Sequence, residues 1–183
     1  FLGSNLPTGP FMVLSASSIF TMAYLFSPKY GRFTKWLRYR ARVKKVREEN
    51  ALKSIYHVLE SRGLESSGNA ILIKDLASHR KMSKAEIVKE IKRMKRSGLV
   101  KLEGGNVSLT TEGFNKARSV VRNHRLWELY LTNEADYASD HVHDDAEKVE
   151  HFLSEKDVAE LESYLNYPQE DPHGKPIPGR ASA

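Results

Sequence analysis

The sequence predicts a mainly α-helical protein with one apolar helix, a compact helical unit carrying a single β-hairpin, and an all-helical acidic unit. Three observations predict it. No Asp, Glu, Lys, Arg or His occurs from Phe1 to Pro28. Apolar residues recur at helical spacing through most of the remaining chain. Apolar/polar alternation is confined to two short runs on either side of Gly104-Gly105. The chain has 183 residues, 40% hydrophobic and 28% charged, which is ordinary globular usage and enough for one or two domains. There is no cysteine, so disulfides, thiolate zinc sites, iron–sulfur clusters and thiol nucleophiles are excluded. Any metal must be held by imidazole, carboxylate or amide oxygen.

The first element is the run from Pro10 to Phe26, interrupted only by Ser and Thr and long enough to span a bilayer. Nine cations follow without an acid among them: Lys29, Arg32, Lys35, Arg38, Arg40, Arg42, Lys44, Lys45 and Arg47. By the positive-inside rule that flank stays in the cytoplasm. A signal peptide would carry its cations before the apolar run. The opening Phe1, in place of Met, leads us to expect a piece of a longer polypeptide that retains its last membrane helix. The plainer alternative is a buried helix of a soluble domain.

The next helix is expected over Glu48 to Arg62, with Leu52, Ile55, Tyr56 and Leu59 on one face and Gly63 as C-cap. A short helical run (Ile73, Leu76, Ala77) breaks at His79 to Met82. A new helix opens with Ser83 and Glu86 in the S-x-x-E capping-box arrangement. Ile87, Ile91 and Met94 share one of its faces, and Ala85, Lys89, Lys92 and Arg96 lie opposite. Gly98 ends it, and Leu99 to Leu102 leads through Glu103-Gly104-Gly105-Asn106 into Val107 to Leu109, a β-hairpin. Lys74 to Lys101 holds ten Lys/Arg against three acids. Two helices at a tight angle, the second basic outside, followed by a hairpin, make a winged helix-turn-helix whose second helix enters a DNA major groove. Ser83, Lys84, Ala85 and Lys89 are placed to read base edges, and Lys92, Arg93 and Arg96 join them as DNA-binding candidates. A winged helix used only for protein contacts is the alternative.

From Glu128 to Asp171 the balance reverses, with fourteen acids and two lysines. Thr110 to Leu131 reads as one long helix with His124 and Glu128 stacked four residues apart. A further helix would carry His143, Glu147, Glu150 and His151 within an arc of about 100°. A lone H-x-x-x-E pair is ordinarily a surface ion pair. Six such side chains on two stripes call instead for a divalent cation to relieve their repulsion, Fe²⁺, Mn²⁺, Co²⁺ or Zn²⁺ by donor type. Asp144 and Asp145 are expected in an outer shell or solvated, and His57, His79, His141 and His173 are read as surface or satisfied histidines. Val158, Leu161 and Leu165 on the last helix are candidates for a dimer interface or for intradomain core. The tail after Asn166 reads as loop.

With the winged helix and the His/Glu stripes together, NHRLWELYL (Asn123 to Leu131), VHDDAEKVEHFLS (Val142 to Ser154) and DPHGKPIPG (Asp171 to Gly179) resemble the diphtheria-toxin-repressor family of iron- or manganese-dependent transcriptional repressors. The resemblance covers about 130 residues. It implies a homodimer that binds operator DNA of metal-uptake genes when loaded with Fe²⁺ or Mn²⁺ as corepressor. Carried over by position, it implies that His124, Glu128 and His143 form one metal group. Glu147, Glu150 and His151 form the other, completed by Asn50. Lys53 stands at a further acidic position of the manganese-type members and cannot ligate while charged. Glu147 replaces a cysteine of the iron-type members, which favours hard-ligand chemistry. No stretch of these 183 residues resembles the SH3-like third domain of iron-type members. Ser4 to Gly31 resembles the end of the permease subunit of metal-uptake ABC transporters, and the two resemblances in this order resemble a permease–repressor fusion whose repressor part is released by cleavage.

These readings divide the chain into a permease-derived transmembrane segment (1–28), a basic linker (29–47), the DNA-binding domain (48–120) and the metal-binding and dimerisation domain (121–179). The repressor part is expected in the cytoplasm and the unprocessed N-terminal segment in the inner membrane. The alternative function is a membrane-attached cytoplasmic metal-sensing domain of the transporter permease. A metallohydrolase is disfavoured, since no H-E-x-x-H motif occurs and no substrate-positioning loop is evident.

Overall fold

The computed structural model describes residues 8–29, 31–134 and 154–179. Two compact units result, one ending at Lys45 and one beginning at Val46. The first contains α1 (Thr8–Phe26) and the opening turns of α2 (Arg32–Glu60). Among the described residues α1 is the one helix long and apolar enough to cross a membrane, with a mean hydropathy of 1.4 and no buried residue. Its hydroxyls fold back on the preceding turn, Ser15 Oγ onto Phe11 O at 2.8 Å and Thr21 Oγ1 onto Ser17 O at 2.7 Å. The side-chain polar groups of these two residues are thus satisfied within the helix.

Helix α2 begins at Arg32, well before the Glu48 expected from apolar spacing. Spacing of buried residues marks only the part of a helix that packs. Arg, Lys, Leu and Ala between Arg32 and Lys45 are strong helix formers and continue the helix without a buried face. Its packed part contributes Leu52, Ile55, Tyr56 and Leu59 to the core, as the spacing predicts. The end is closed by Leu64 N–H donating to Leu59 O, with Gly63 left-handed at φ +67°.

In the second unit, β1 (Ala70–Leu72), α3 (Ile73–Arg80), α4 (Lys84–Arg96), β2 (Val100–Glu103) and β3 (Asn106–Leu109) follow. Strand β3 lies between β1 and β2, antiparallel to both, with Ile71 opposite Val107 and Val100 opposite Leu109. Those four side chains point into the core with Ile87, Ile91 and Met94 of α4. Strand β1 has no signature in the sequence, because three apolar residues show no alternation and their partner lies more than thirty positions away. The two turns do have one. Ser83 and Glu86 form the reciprocal capping box, and Gly104 and Gly105 at φ +54° and +84° make the tight hairpin turn. This order of helices and strands, with β2 and β3 as wing, is the winged helix-turn-helix.

Helix α5 (Thr111–Glu134) serves two cores. Ala117 and Val121 complete the first, and Leu126 heads a second with Val158, Leu161 and Ile177. Val158 and Leu161 on α6 (Glu155–Tyr164, the next described helix) are therefore intradomain core, with Leu165 packed against it. The residues after Asn166 form an ordered hook: Asp171 Oδ1 accepts from His173 N–H at 2.8 Å and Lys175 N–H at 2.9 Å, and Ile177 N–H donates to Gln169 O at 2.7 Å.

The start of α5 is held against the wing. Thr110 N–H donates to Leu99 O, Thr110 Oγ1 accepts from Gly113 N–H, and a Cβ on Gly113 would lie 1.9 Å from Leu99 O. Gly113→Ala should therefore destabilise the fold by about 1–3 kcal/mol, read as a lower urea midpoint at unchanged slope.

Candidate metal and DNA sites

Burial on α5 is unusual in kind. Arg122, His124, Arg125 and Glu128 are all below 9% exposed. The pattern follows from helical spacing: these residues and Val121 face the interior, with charges among apolar neighbours. Charges withdrawn from water need fixed partners. Arg125, 1% exposed, has three: its guanidinium donates to Glu60 Oε2 at 2.7 Å and to Pro176 O at 2.6 Å, and its Nε lies 3.3 Å from Asp171 Oδ2. Arg122 donates to Pro178 O at 2.5 Å and pairs with Glu162. One turn of α5 thereby fastens the end of α2, helix α6 and the C-terminal hook.

Glu60 sits at the centre of this junction. Burial works against its ionisation, but hydrogen bonds from His57 and Arg125 and the Arg125 charge outweigh it, holding the carboxyl at about 2. Burial in turn pushes His57 below the ordinary imidazole value despite Glu60 at 3.4 Å. Tyr56 is pushed up to about 12, by burial first and then by Glu65 and Glu60. His57 is thus a satisfied, largely buried histidine.

The same face carries the first pair of metal candidates. His124 Nε2 and Glu128 Oε1 are 3.1 Å apart, with side chains 3% and 4% exposed, so the four-residue spacing does bring them together. Asn50 lies on α2, and its Oδ1 is buried with no hydrogen-bond partner among the described residues. A buried amide oxygen left unsatisfied is costly unless something else accepts its lone pair, and a hard cation does. Lys53 and Glu49 are buried on the same helix. His143, Glu147, Glu150 and His151, together with Asp144, Asp145 and His141, lie outside the described residues. No group of three or more His, Asp or Glu suited to a metal occurs among the described ones.

On the outer face of α4, Lys84, Ala85, Lys89, Lys92, Arg93 and Arg96 are all exposed, while Ile87, Ile91 and Met94 are buried. Ala85, Lys89, Lys92, Arg93 and Arg96 line one shallow groove with Val88. Ser83 is exposed too, but its Oγ is committed to the cap, donating to Glu86 Oε2 and accepting from Glu86 N–H. Sequence reasoning missed Arg122, Arg125, Glu60, Glu162 and Asp171 as structural partners. Arg125 within NHRLWELYL, Arg122 just before it and an acid opening DPHGKPIPG were the available signals.

Residues 110–179 match the iron dependent repressor metal binding and dimerisation domain. The iron-dependent repressor IdeR of Mycobacterium leprae is 34% identical over 132 residues, covering 72% of this chain and 55% of that protein. A solved manganese-dependent transcriptional repressor in complex with manganese superposes with a TM-score of 0.62 at 38% identity, covering 72% of this chain and 58% of the other. Over residues 110–179 the chain belongs to the iron-dependent repressor family. A relative of another kind matches nearly the whole chain. A probable metal transport system membrane protein of Chlamydia trachomatis is 32% identical over 180 residues, 96% of this chain but 39% of that protein. The chain thus spans roughly two fifths to three fifths of the length of these relatives.

Replacing Arg125 by Met should cost about 3–5 kcal/mol, because the Glu60 and Asp171 carboxylates are left without their buried cation. Combining it with Glu60→Gln and Asp171→Asn should recover part of that loss in chemical denaturation. Because the Glu60 pKa is depressed on folding, its contribution is present above pH 4.5 and lost as pH falls towards about 2. Glu60→Gln should flatten stability against pH across that window.

Proposed function

We propose that this protein is a metal-dependent transcriptional repressor that binds operator DNA of metal-uptake genes as a homodimer when loaded with Fe²⁺ or Mn²⁺. The carrying observation is one helix, α5, that brings His124 and Glu128 together in the interior and packs its first half onto the winged helix. The iron- and manganese-dependent relatives support the corepressor, and the exposed basic face of α4 supports the operator.

In this reading His124, Glu128 and His143 hold one ion, and Glu147, Glu150 and His151 hold another with the amide oxygen of Asn50. When bound, the cation would supply positive charge that lets carboxylates and imidazoles from different stretches of the chain share one centre. Asn50 is the group that links the metal-binding region to the DNA-binding domain, because it stands on the helix whose Leu52, Ile55 and Leu59 share a core with α3 and α4. Fixing that helix fixes the spacing of two recognition helices across the dimer, and hence the half-site spacing they fit. Lys84, Ala85 and Lys89 read bases with Ser83 at the first turn, and Lys92, Arg93 and Arg96 hold phosphates. The division of labour is 48–120 for DNA and 121–179 for metal and dimerisation.

Segment 1–28 we assign to the end of a metal-transporter permease, crossing the inner membrane, with the repressor part in the cytoplasm. Helix α1 and the membrane-protein relatives favour this, and they also favour a second reading in which the repressor part senses metal while membrane-attached.

Anisotropy of labelled DNA from the protein's own operon promoter, titrated anaerobically with chelator, Fe²⁺ or Mn²⁺, tests the proposal. Saturable, competitor-resistant binding should appear only with metal. Equal, weak, salt-sensitive binding in every series would favour the attached sensor. Alanine at Glu147 or His151 should abolish the metal dependence and leave the fold intact. Lys92→Ala with Arg96→Ala should weaken binding to all sequences. It should also make the salt dependence shallower, by about 1 in log–log slope for each phosphate no longer neutralised.

A further inference from the structure

The first unit contains a surface that neither metal sensing nor operator binding uses. Between α1 and α2 the chain turns a tight corner. Gly31 is buried there, and a Cβ on it would meet Ser27 O at 2.5 Å and Leu25 O at 2.7 Å. Thr34 Oγ1 donates to Ser27 O at 3.0 Å or Gly31 O at 2.8 Å, and Arg38 donates to Pro28 O at 3.1 Å. The corner sets Phe26, the last residue of α1, against Phe33 of α2 at 5.5 Å between ring centroids. Phe33 stacks on Trp36 at 5.8 Å, and the Arg40 guanidinium lies over the Trp36 ring at 4.4 Å.

Phe33, Trp36, Leu37 and Arg40 fall within an arc of about 100° on α2. The three apolar members are nearly half exposed, at 45%, 46% and 46%. Lys35, Arg38 and Arg42 lie on the other side, about 140–200° from Phe33. An aromatic stripe continuous with the end of an apolar helix, backed by a basic face and without a carboxylate between Lys29 and Arg47, has the pattern of a helix lying in a membrane interface. Duplex DNA would use the cations and leave the aromatic stripe in water. A bilayer carrying anionic lipid uses both, since indole and phenyl rings favour the headgroup boundary and cations favour its phosphates.

We propose that the opening turns of α2 form an interfacial anchor that seats Phe33, Trp36 and Leu37 at the surface of an anionic lipid bilayer, the surrounding Lys and Arg engaging headgroup phosphates. The anchor deepens the reading that α1 crosses a bilayer, and holds the aromatic stripe level with the membrane boundary where α1 ends. The Arg40 guanidinium, stacked on Trp36, sets a positive charge beside the indole at the headgroup boundary.

The test uses the full chain in a Trp127→Phe background, which leaves Trp36 as the single indole. The protein is reconstituted in vesicles of phosphatidylcholine alone or mixed with phosphatidylglycerol. Trp36 emission and its quenching by lipids brominated near the headgroup end of the acyl chain are measured. A blue shift and shallow quenching that strengthen with phosphatidylglycerol are expected. They should be lost in a Lys35→Ser, Arg42→Ser, Lys44→Ser variant, and reduced when salt shrinks the Debye length to about 3 Å. Resistance to alkaline carbonate extraction reports α1 separately. A wash-resistant chain whose Trp36 emits as in water, or responds equally to both vesicles and in the charge variant, overturns the anchor and leaves the spanning reading intact. A chain extracted by carbonate whose Trp36 still responds to anionic vesicles overturns the span and keeps the anchor. A Trp36 shift on adding duplex DNA, with none on vesicles, overturns the anchor in favour of nucleic acid.

Discussion

Arg125 is the interaction on which the second unit's arrangement depends. A guanidinium cannot shed its charge, so burying one commits the surrounding chain to supply acceptors in its plane. Here they come from distant parts of the sequence: Glu60 at the end of α2, and Asp171 and the Pro176 carbonyl in the C-terminal hook. Satisfying one side chain therefore closes the winged helix, α5 and the hook onto each other. Its neighbour His124 is placed by the same turn of helix, so the register of the metal candidates follows from a structural ion cluster.

That coupling gives α5 a double character. Its first half belongs to the winged helix through Ala117 and Val121, and its second half to the smaller core through Leu126. A helix shared by two cores transmits a displacement at one to the other, because packed interiors resist local deformation. On α2, Asn50 has its amide oxygen buried and without a hydrogen-bond partner among the described residues. An acceptor held in the interior with its lone pairs unused suits a ligand that comes and goes.

The cations of the chain sort by environment. Those of α4 stand exposed opposite a fully apolar face. Those of early α2 surround an aromatic stripe. Those of α5 at Arg122 and Arg125 are buried and matched. Equal charge in the sequence thus meets an open helix face, an aromatic stripe or a closed interior, and the neighbours of each residue decide which.

By itself the sequence determined the elements whose cause is local: the capping box at Ser83, the Gly104-Gly105 hairpin, the buried face of α4 and the stacking of His124 on Glu128 all follow from residues close to one another in the chain. The motif-based resemblance likewise placed the chain in its family, since ordered runs such as DPHGKPIPG do not depend on knowing what they touch. Tertiary structure alone decided the rest. Strand β1 exists because β3 offers it an edge, and the hook is ordered because Arg122 and Arg125 reach into it. Val158 and Leu161 are core because Leu126 and Ile177 meet them. Partners 40 to 65 residues apart leave no periodic trace in sequence, and a buried arginine looks like an exposed one until its acceptors are found.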